Sequence, residues 1–115
     1  MLALGSDWNV MAADPLRILD AAVTRVDPDT RAGRPLGPVS ERLKPEIALR
    51  AYTRGSAFEG WCEDVSGTIE VGKSADLVLL DRDPLGTPRS AWSDAAVLLT
   101  MVDGRVVHEA TGLDG

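Results

Sequence analysis

Cysteine, histidine and aromatic residues are scarce in this 115-residue chain, which has one cysteine, one histidine and 4% aromatic residues. A single cysteine excludes an internal disulfide and is typical of the reducing cytoplasm. Cys62 is therefore most simply interpreted as a small buried apolar residue and not as a nucleophile. His108, the one histidine, falls in a predicted strand, where a surface position is expected and not a metal-binding role.

The chain also lacks an excess of positive charge and long apolar runs. The formal net charge of −6 argues against nucleic acid and anionic lipid as partners, because both require basic patches. No apolar run is long enough to cross a bilayer. The chain allows one domain at most, and its 26% charged and 44% apolar residues are those of an ordinary soluble protein.

Two helices are predicted in the first half of the chain. Asp14 is a typical N-cap before a proline, and apolar residues then recur at helical spacing to about residue 26. Residues 27–38 are rich in Asp, Pro, Gly and Arg and predict a long loop. A second helix is expected from Pro45 to about Arg54.

The second helix is expected to be interrupted at Gly55-Ser56, with a further helical turn at residues 57–61. Phe58 and Trp61 lie in that turn. Both are predicted to be core residues, because no cluster of basic or aromatic partners surrounds them in the sequence.

The second half of the chain predicts strands. An unbroken apolar run at 77–80 follows Asp76 and ends at Asp81. Residues 97–102 are rich in β-formers, and Asp103-Gly104 is a strong hairpin signal. Residues 105–108 are expected to pair with residues 97–102 as the second strand of the hairpin. We therefore predict a strand followed by a β-hairpin.

Residues 67–74 match the Walker A pattern letter for letter, with glycines at 67 and 72 followed by Lys73 and Ser74. A phosphate-binding loop must follow a buried strand and open a helix whose amides face the phosphates. Here a polar Glu63-Asp64 segment precedes the match and a β-rich run follows it. The nucleotide-binding interpretation is therefore rejected.

The opening run, residues 2–6, is apolar and too short for a helix, so it predicts a buried strand of a parallel sheet. Asp7 comes directly after it. Loops at the carboxyl ends of parallel strands carry the chemistry of α/β enzymes, so Asp7 is placed to bind a metal or to accept a proton. The alternative is that Asp7 caps the next segment as in an Asx turn. Spacing by itself favours the capping role.

Several motifs together resemble a known family. They are Leu-Gly-Ser-Asp-Trp at 4–8, Asp-Pro-Leu at 14–16, Ala-Leu-Arg-Ala-Tyr-Thr at 48–53, the run at 67–81 and the tail at 98–107. In this order they resemble the carboxy-terminal part of the amidohydrolase superfamily, and within it the family 3 branch of metal-dependent hydrolases.

The resemblance implies an α/β fold, a (β/α)8 (TIM) barrel with a small β-sandwich, called the composite domain, built from both chain ends. Residues 1–66 would form the last barrel strand, a loop and two outer helices. Residues 67–115 would form a sandwich segment ending in a β-hairpin. Asp7 would bind the metal, zinc by expectation, and take a proton from the attacking water. Trp8 would contact a small amide-type substrate whose non-peptide C–N bond is hydrolysed.

This sequence departs from the family pattern because the His-x-His pair and two further histidines of the family's metal site have no counterpart in it. We therefore expect a fragment that is inactive alone and holds no metal stably. Its partner would be the missing amino-terminal barrel portion or a second chain, and its unpaired apolar strands predict self-association. The alternative is a non-catalytic interaction or structural module that retains amidohydrolase-like packing.

Overall fold

A computed structural model describes residues 1–10, 12–86 and 92–112 of the chain. Helix α1 spans Pro15–Thr24, helix α2 Pro45–Arg50, a π-helical turn Ala51–Gly55, and helix α3 Ser56–Glu59. Strands β1 (Leu77–Leu80), β2 (Val97–Val102) and β3 (Arg105–Glu109) follow. Residues 87–91 and 113–115 of the predicted sandwich segment lie outside the described residues. Within the described ranges no helix is long and apolar enough to cross a membrane.

Helix α1 begins as the sequence predicts. The Asp14 carboxylate accepts a hydrogen bond from the Leu16 N–H (3.0 Å), and Pro15 occupies the first helical position. The helix ends at Thr24, two residues earlier than expected, because Arg25 adopts a left-handed conformation (φ 61°) and its N–H bonds to the Ala21 carbonyl at 2.8 Å.

The predicted break at Gly55-Ser56 is wrong. Helical geometry continues from Pro45 to Glu59, with a π-helical turn where α2 would otherwise end. Gly55 (φ −64°) and Ser56 (φ −67°) both have helical backbone angles. The glycine and serine in the sequence suggested a break in the helix. A glycine also allows a close approach of another main chain, and Gly55 has that role here.

The three strands form one antiparallel sheet in the order β1-β2-β3. The predicted hairpin is confirmed: Asp103 (φ 49°) and Gly104 (φ 75°) take the two left-handed positions of a tight turn. The Gly104 N–H donates to the Ala75 carbonyl (3.1 Å), and the Asp103 N–H to the Asp76 carboxylate (2.8 Å). These bonds join the hairpin turn to the entry of β1. His108 is exposed on β3, as expected.

The core combines α1 with a residue from the second half of the chain. It consists of the apolar stripe of α1, Ala48 and Trp92, with Leu80 and Val97 of the sheet packed against it. Trp92 is fully buried. Phe58 and Trp61 were predicted in the core, and this is wrong, since they are 51% and 93% exposed. Phe58 lies on α3 and Trp61 in the turn that follows this helix, and the described residues leave both largely uncovered.

The opening segment comprises residues 1–6. Its residues 2–6 were predicted to be a buried strand, and this is also wrong for the chain as described. No strand is present there, and Leu2 is 48% exposed. A strand needs a neighbour for its N–H and C=O groups, and the described sheet is formed entirely by residues 77–109. Cys62 is half-buried, with its Sγ 3.3 Å from the Ala57 carbonyl, so it is only partly the buried residue expected.

The carboxylate of Asp81, directly after β1, accepts hydrogen bonds that link the end of this strand to the residue before β2. It accepts from the Arg82 guanidinium (2.9 and 2.8 Å) and from the Ala96 N–H (2.9 Å). The hydrogen bond from Arg82, followed by that from Ala96, lowers the pKa of Asp81 from 3.8 to about 2.

This shift predicts a pH dependence of the β1–β2 contact. Because the pKa is lower in the folded chain, the contribution of Asp81 to stability is complete above its ordinary value of 3.8 and is lost as the pH falls through about 2. A carboxyl-carbon NMR titration should give a midpoint near 2, and Arg82→Gln should raise that midpoint. A native-state midpoint at the ordinary aspartate value would contradict the contact.

Candidate functional site

The opening segment crosses the helical unit of residues 45–59 and is held there at Leu4. The Leu4 N–H donates to the Ala51 carbonyl (3.1 Å), and the Leu4 carbonyl accepts from the Ser56 hydroxyl (2.7 Å). Ala51 is the first residue of the π-helical turn, whose wider hydrogen-bond spacing interrupts the regular α-helical ladder. Both backbone polar groups of Leu4 are thus bonded to this helical unit, three residues before Asp7.

Gly55 permits this crossing. A Cβ atom at position 55 would lie 2.1 Å from the Leu2 carbonyl oxygen and 3.2 Å from the Ala3 Cα. The obstructing atoms are main chain and cannot rotate away. Even alanine at this position would therefore force the opening segment to move.

Asp7 lies in a turn immediately after the anchored segment. Its carbonyl accepts from the Val10 N–H at 2.8 Å, and its backbone is left-handed (φ 49°), a conformation that aspartate tolerates better than most residues. The residue is exposed. In the described part of the chain its carboxylate accepts no hydrogen bond, so the Asx-turn alternative is not seen there.

Trp8 follows Asp7 in the same turn and is 72% exposed. Its indole is therefore accessible, and the turn presents an anionic and an aromatic residue side by side in the sequence. Its contact with a substrate stays a prediction.

No metal centre is complete within the described ranges: they contain no group of three or more His, Cys, Asp or Glu residues arranged to hold an ion. A hydrolytic zinc site takes about three protein ligands and one open position. The Asp7 carboxylate has the chemistry of one such ligand. The described residues therefore fit one position of a metal site and not the whole site.

A second polar cluster joins α1, the long loop and residues 93–94. Asp20 of α1 is 3% exposed, and one of its carboxylate oxygens accepts from the Ser93 hydroxyl at 2.5 Å. The Arg31 guanidinium donates to Ser93 Oγ (2.8 Å) and pairs with both oxygens of Asp94. The hydrogen bond between Arg31 and Asp94 raises the pKa of the arginine and lowers that of the carboxyl. This network ties the long loop to the segment before β2.

A shallow cavity of about 200 Å³ lies beside this network, lined by Asp20, Thr24, Val26, Asp27, Pro28 and Arg31. Sequence reasoning missed Asp20. A signal was present, because Asp20 lies among Leu16, Leu19 and Val23 on the buried face of α1. A carboxylate on an apolar helical stripe indicates a buried polar partner.

Lys73, the lysine of the Walker A match, hydrogen-bonds to nearby backbone carbonyls and a threonine hydroxyl and is not part of a phosphate-binding loop. Its ammonium lies 2.6 Å from the Glu63 carbonyl, 2.6 Å from Thr68 Oγ1 and 3.4 Å from the Ser66 carbonyl. The side chain is 16% exposed, and the chain continues into β1 and not into a helix. The geometry agrees with the rejection of nucleotide binding.

Comparison with known proteins identifies the family. The model of the amidohydrolase family (Amidohydro_3) matches residues 1–108. The chain belongs to the amidohydrolase family. The resemblance found in its motifs, including the family 3 branch, is thereby confirmed.

Two curated relatives give the extent of the match. The N-substituted formamide deformylase of Arthrobacter pascens is 38% identical over 111 residues, which are 96% of this chain and 20% of the deformylase. The putative amidohydrolase YtcJ of Bacillus subtilis is 31% identical over 109 residues, 95% of this chain and 20% of that protein. This amidohydrolase chain thus spans about a fifth of the length of the curated relatives it matches.

A solved structure supports the fold of this amidohydrolase chain. The crystal structure of an uncharacterized protein matches with a TM-score of 0.53 and 30% identity, over 63% of this chain and 18% of that protein. The described residues form a small α/β unit with a three-stranded antiparallel sheet, compatible with part of an amidohydrolase.

The position of Lys73 predicts a local effect of its removal. Lys73→Met keeps the apolar stem and leaves two carbonyls and a hydroxyl without their charged donor, a loss of about 1.5–3 kcal/mol for charge-assisted bonds. The Ser74 N–H, which bonds to the Val65 carbonyl at 2.9 Å, should then exchange with solvent at least ~10-fold faster.

Lys44→Met is the matched control, because Lys44 is exposed and makes no capping hydrogen bond. Amide exchange by NMR measures both variants. Equal exchange of the Ser74 amide in the two variants would show that the Lys73 ammonium does not hold this turn.

Proposed function

We propose that this chain supplies the closing segment of a metal-dependent amidohydrolase barrel, which hydrolyses non-peptide C–N bonds of small molecules. The observation that carries the proposal is the family match over residues 1–108, in a structure that anchors the opening segment three residues before Asp7. In this proposal residues 1–66 belong to the (β/α)8 barrel and residues 67–115 to the β-sandwich. The remaining barrel comes from sequence corresponding to the other four-fifths of the relatives' length.

Asp7 is proposed as one metal ligand and as the general base. A divalent metal ion, with zinc proposed, supplies Lewis-acid polarisation and lowers the pKa of water toward neutrality. The Asp7 carboxylate orients the attacking water and accepts its proton as the new C–O bond forms. Asp7 then returns the proton to the departing nitrogen as the C–N bond breaks, which gives an acid and an amine.

The substrate proposed is a small amide, with Trp8 at the rim of its site. The Arthrobacter pascens relative is named as an N-substituted formamide deformylase, and we propose N-substituted formamides as the substrate class. The exposed indole of Trp8 offers an apolar face to the N-substituent. The single cysteine supports a cytoplasmic location.

Exposed apolar side chains support the need for a partner. Trp61 (93%), Ile69 (88%) and Val71 (108%) are almost fully exposed, and Val106 and Val107 of the edge strand β3 are 50% and 62% exposed. Soluble monomers rarely leave large apolar patches uncovered, and an unpaired edge strand is a template for association. In the proposed enzyme the rest of the barrel and sandwich covers these residues.

The catalytic role of Asp7 is tested in a chimera in which this chain replaces the matching fifth of the Arthrobacter pascens deformylase. Asp7→Asn keeps the shape of the side chain and removes its charge and basicity. Release of formate from an N-substituted formamide should fall at least ~10²-fold, the lower end of what a general base contributes. Bound metal, measured by elemental analysis, should fall as well. Trp8→Ala should mainly change the preference among N-substituents.

Asp64→Asn is the matched control, because Asp64 is exposed and lies outside the opening segment, and it should retain turnover. Near wild-type turnover of Asp7→Asn would contradict the assignment. A chimera that fails to fold, or that folds without activity, would contradict the proposal that this chain fits the barrel.

The isolated chain should self-associate through its uncovered apolar surface. Sedimentation velocity should show oligomers whose proportion rises with concentration, and a dye that binds apolar surface should fluoresce with the chain alone. Elemental analysis should find no stoichiometric metal, because Asp7 is one ligand where about three are needed. A stable monomer with a sharp cooperative unfolding transition would favour the non-catalytic interaction module instead.

A further inference from the structure

We propose that Ser56, together with the π-helical turn Ala51–Gly55, positions Asp7 in the active site. Ser56 is a positioning residue in this inference, because it acts through the main chain of Leu4 and does not touch the substrate. The inference rests on the proposed function of Asp7, and its tests separate the two.

Both backbone polar groups of Leu4 are bonded to the same helical unit. Its N–H donates to the Ala51 carbonyl at 3.1 Å, and its carbonyl accepts from the Ser56 hydroxyl at 2.7 Å. Two bonds from one residue to two points of the same helical unit restrict its orientation as well as its position. Three residues of chain span at most about 11 Å. A change in the backbone orientation at Leu4 therefore displaces Asp7.

The hydroxyl of Ser56 has one proton and two acceptors within reach. The Leu4 carbonyl lies at 2.7 Å and the Ala51 carbonyl at 3.1 Å. A serine inside a helix commonly bonds back to its own helix, but here the shorter contact is to the opening segment. Removal of the hydroxyl leaves the Leu4 carbonyl without this partner, while the bond from the Leu4 N–H to Ala51 remains.

The π-helical turn brings these groups to the segment. A π-turn spaces its hydrogen bonds five residues apart, and the carbonyl of Ala51 at its start accepts the Leu4 N–H from outside the helix. Gly55 ends the turn and leaves room for the Leu2 carbonyl, which a Cβ atom would meet at 2.1 Å. The three features act on residues 2–4 together, and that is why we assign them one role.

The first experiment measures the anchor without activity. In this chain, exchange of the Leu4 amide is followed by NMR for Ser56→Ala, Ser56→Thr and the control Ser66→Ala. Ser66 also bonds to a backbone carbonyl, that of Cys62 at 3.3 Å, but among the described residues it makes no hydrogen bond to the opening segment. We expect about tenfold faster exchange at Leu4 in Ser56→Ala, with the amides of α1 unchanged, and recovery in Ser56→Thr.

Faster exchange at Leu4 and throughout α1 to the same degree would mean that Ser56 is a general stability contact, and the inference would fail. Unchanged exchange at Leu4 would also overturn it.

The second experiment measures catalysis in the chimera with the deformylase. Ser56→Ala should lower kcat about tenfold, because a displacement of about 1 Å at a reacting group costs up to ~10²-fold. KM and the pH midpoint of kcat should stay unchanged, since Ser56 affects geometry and not proton affinity or substrate contacts. Ser56→Thr should restore most of kcat, and Ser66→Ala should leave it unchanged.

The outcomes distinguish the two proposals. If Asp7→Asn retains turnover, the proposed function of Asp7 fails, whatever Ser56 does to exchange at Leu4. If Asp7→Asn loses turnover and Ser56→Ala keeps kcat, the function stands and the positioning inference fails.

Discussion

The placement of the candidate catalytic residue depends on one close approach of main chain to main chain, at Gly55. The Leu2 carbonyl lies where a side chain at position 55 would begin, and Leu4 then reaches the carbonyl of Ala51 and the hydroxyl of Ser56. Without that approach the opening segment would lose the support of the helix. Asp7 follows three residues later, so its position is set by backbone contacts and not by its own side chain.

Local features of the fold could be predicted because each depends on neighbours in sequence. Asp14 caps α1 through the amide of Leu16, two residues away, and the Asp103-Gly104 turn follows from the left-handed preference of those residues. The same reasoning failed for Trp61, which was predicted in the core and is 93% exposed, and it made no prediction for Trp92, which is fully buried. Nothing near Trp92 in the sequence indicates its burial, because its core partners on α1 lie over sixty positions away.

The candidate site was predictable in part. The apolar run and the family motifs singled out Asp7, which the structure shows exposed in a turn after the opening segment, and its catalytic role remains a proposal. The π-helical turn could not be predicted, because Gly55 indicated a helix break from composition alone. The opening segment itself was expected as a buried strand. A buried strand needs a neighbouring strand on each side. The described sheet is formed by residues 77–109 and does not extend to residues 1–6.

Leu2 is half-exposed, and Leu4 is hydrogen-bonded to the helical unit of residues 45–59. The opening segment is thus bonded to the helix on one side and uncovered on the other. Amide exchange across residues 2–6, in the isolated chain and in the chimera with the deformylase, tests this account most directly. The account predicts slow exchange at Leu4 alone in the isolated chain, and slow exchange throughout the segment in the chimera, where barrel strands supply the missing partners. Strong protection of all these amides in a monomer of the isolated chain would contradict it.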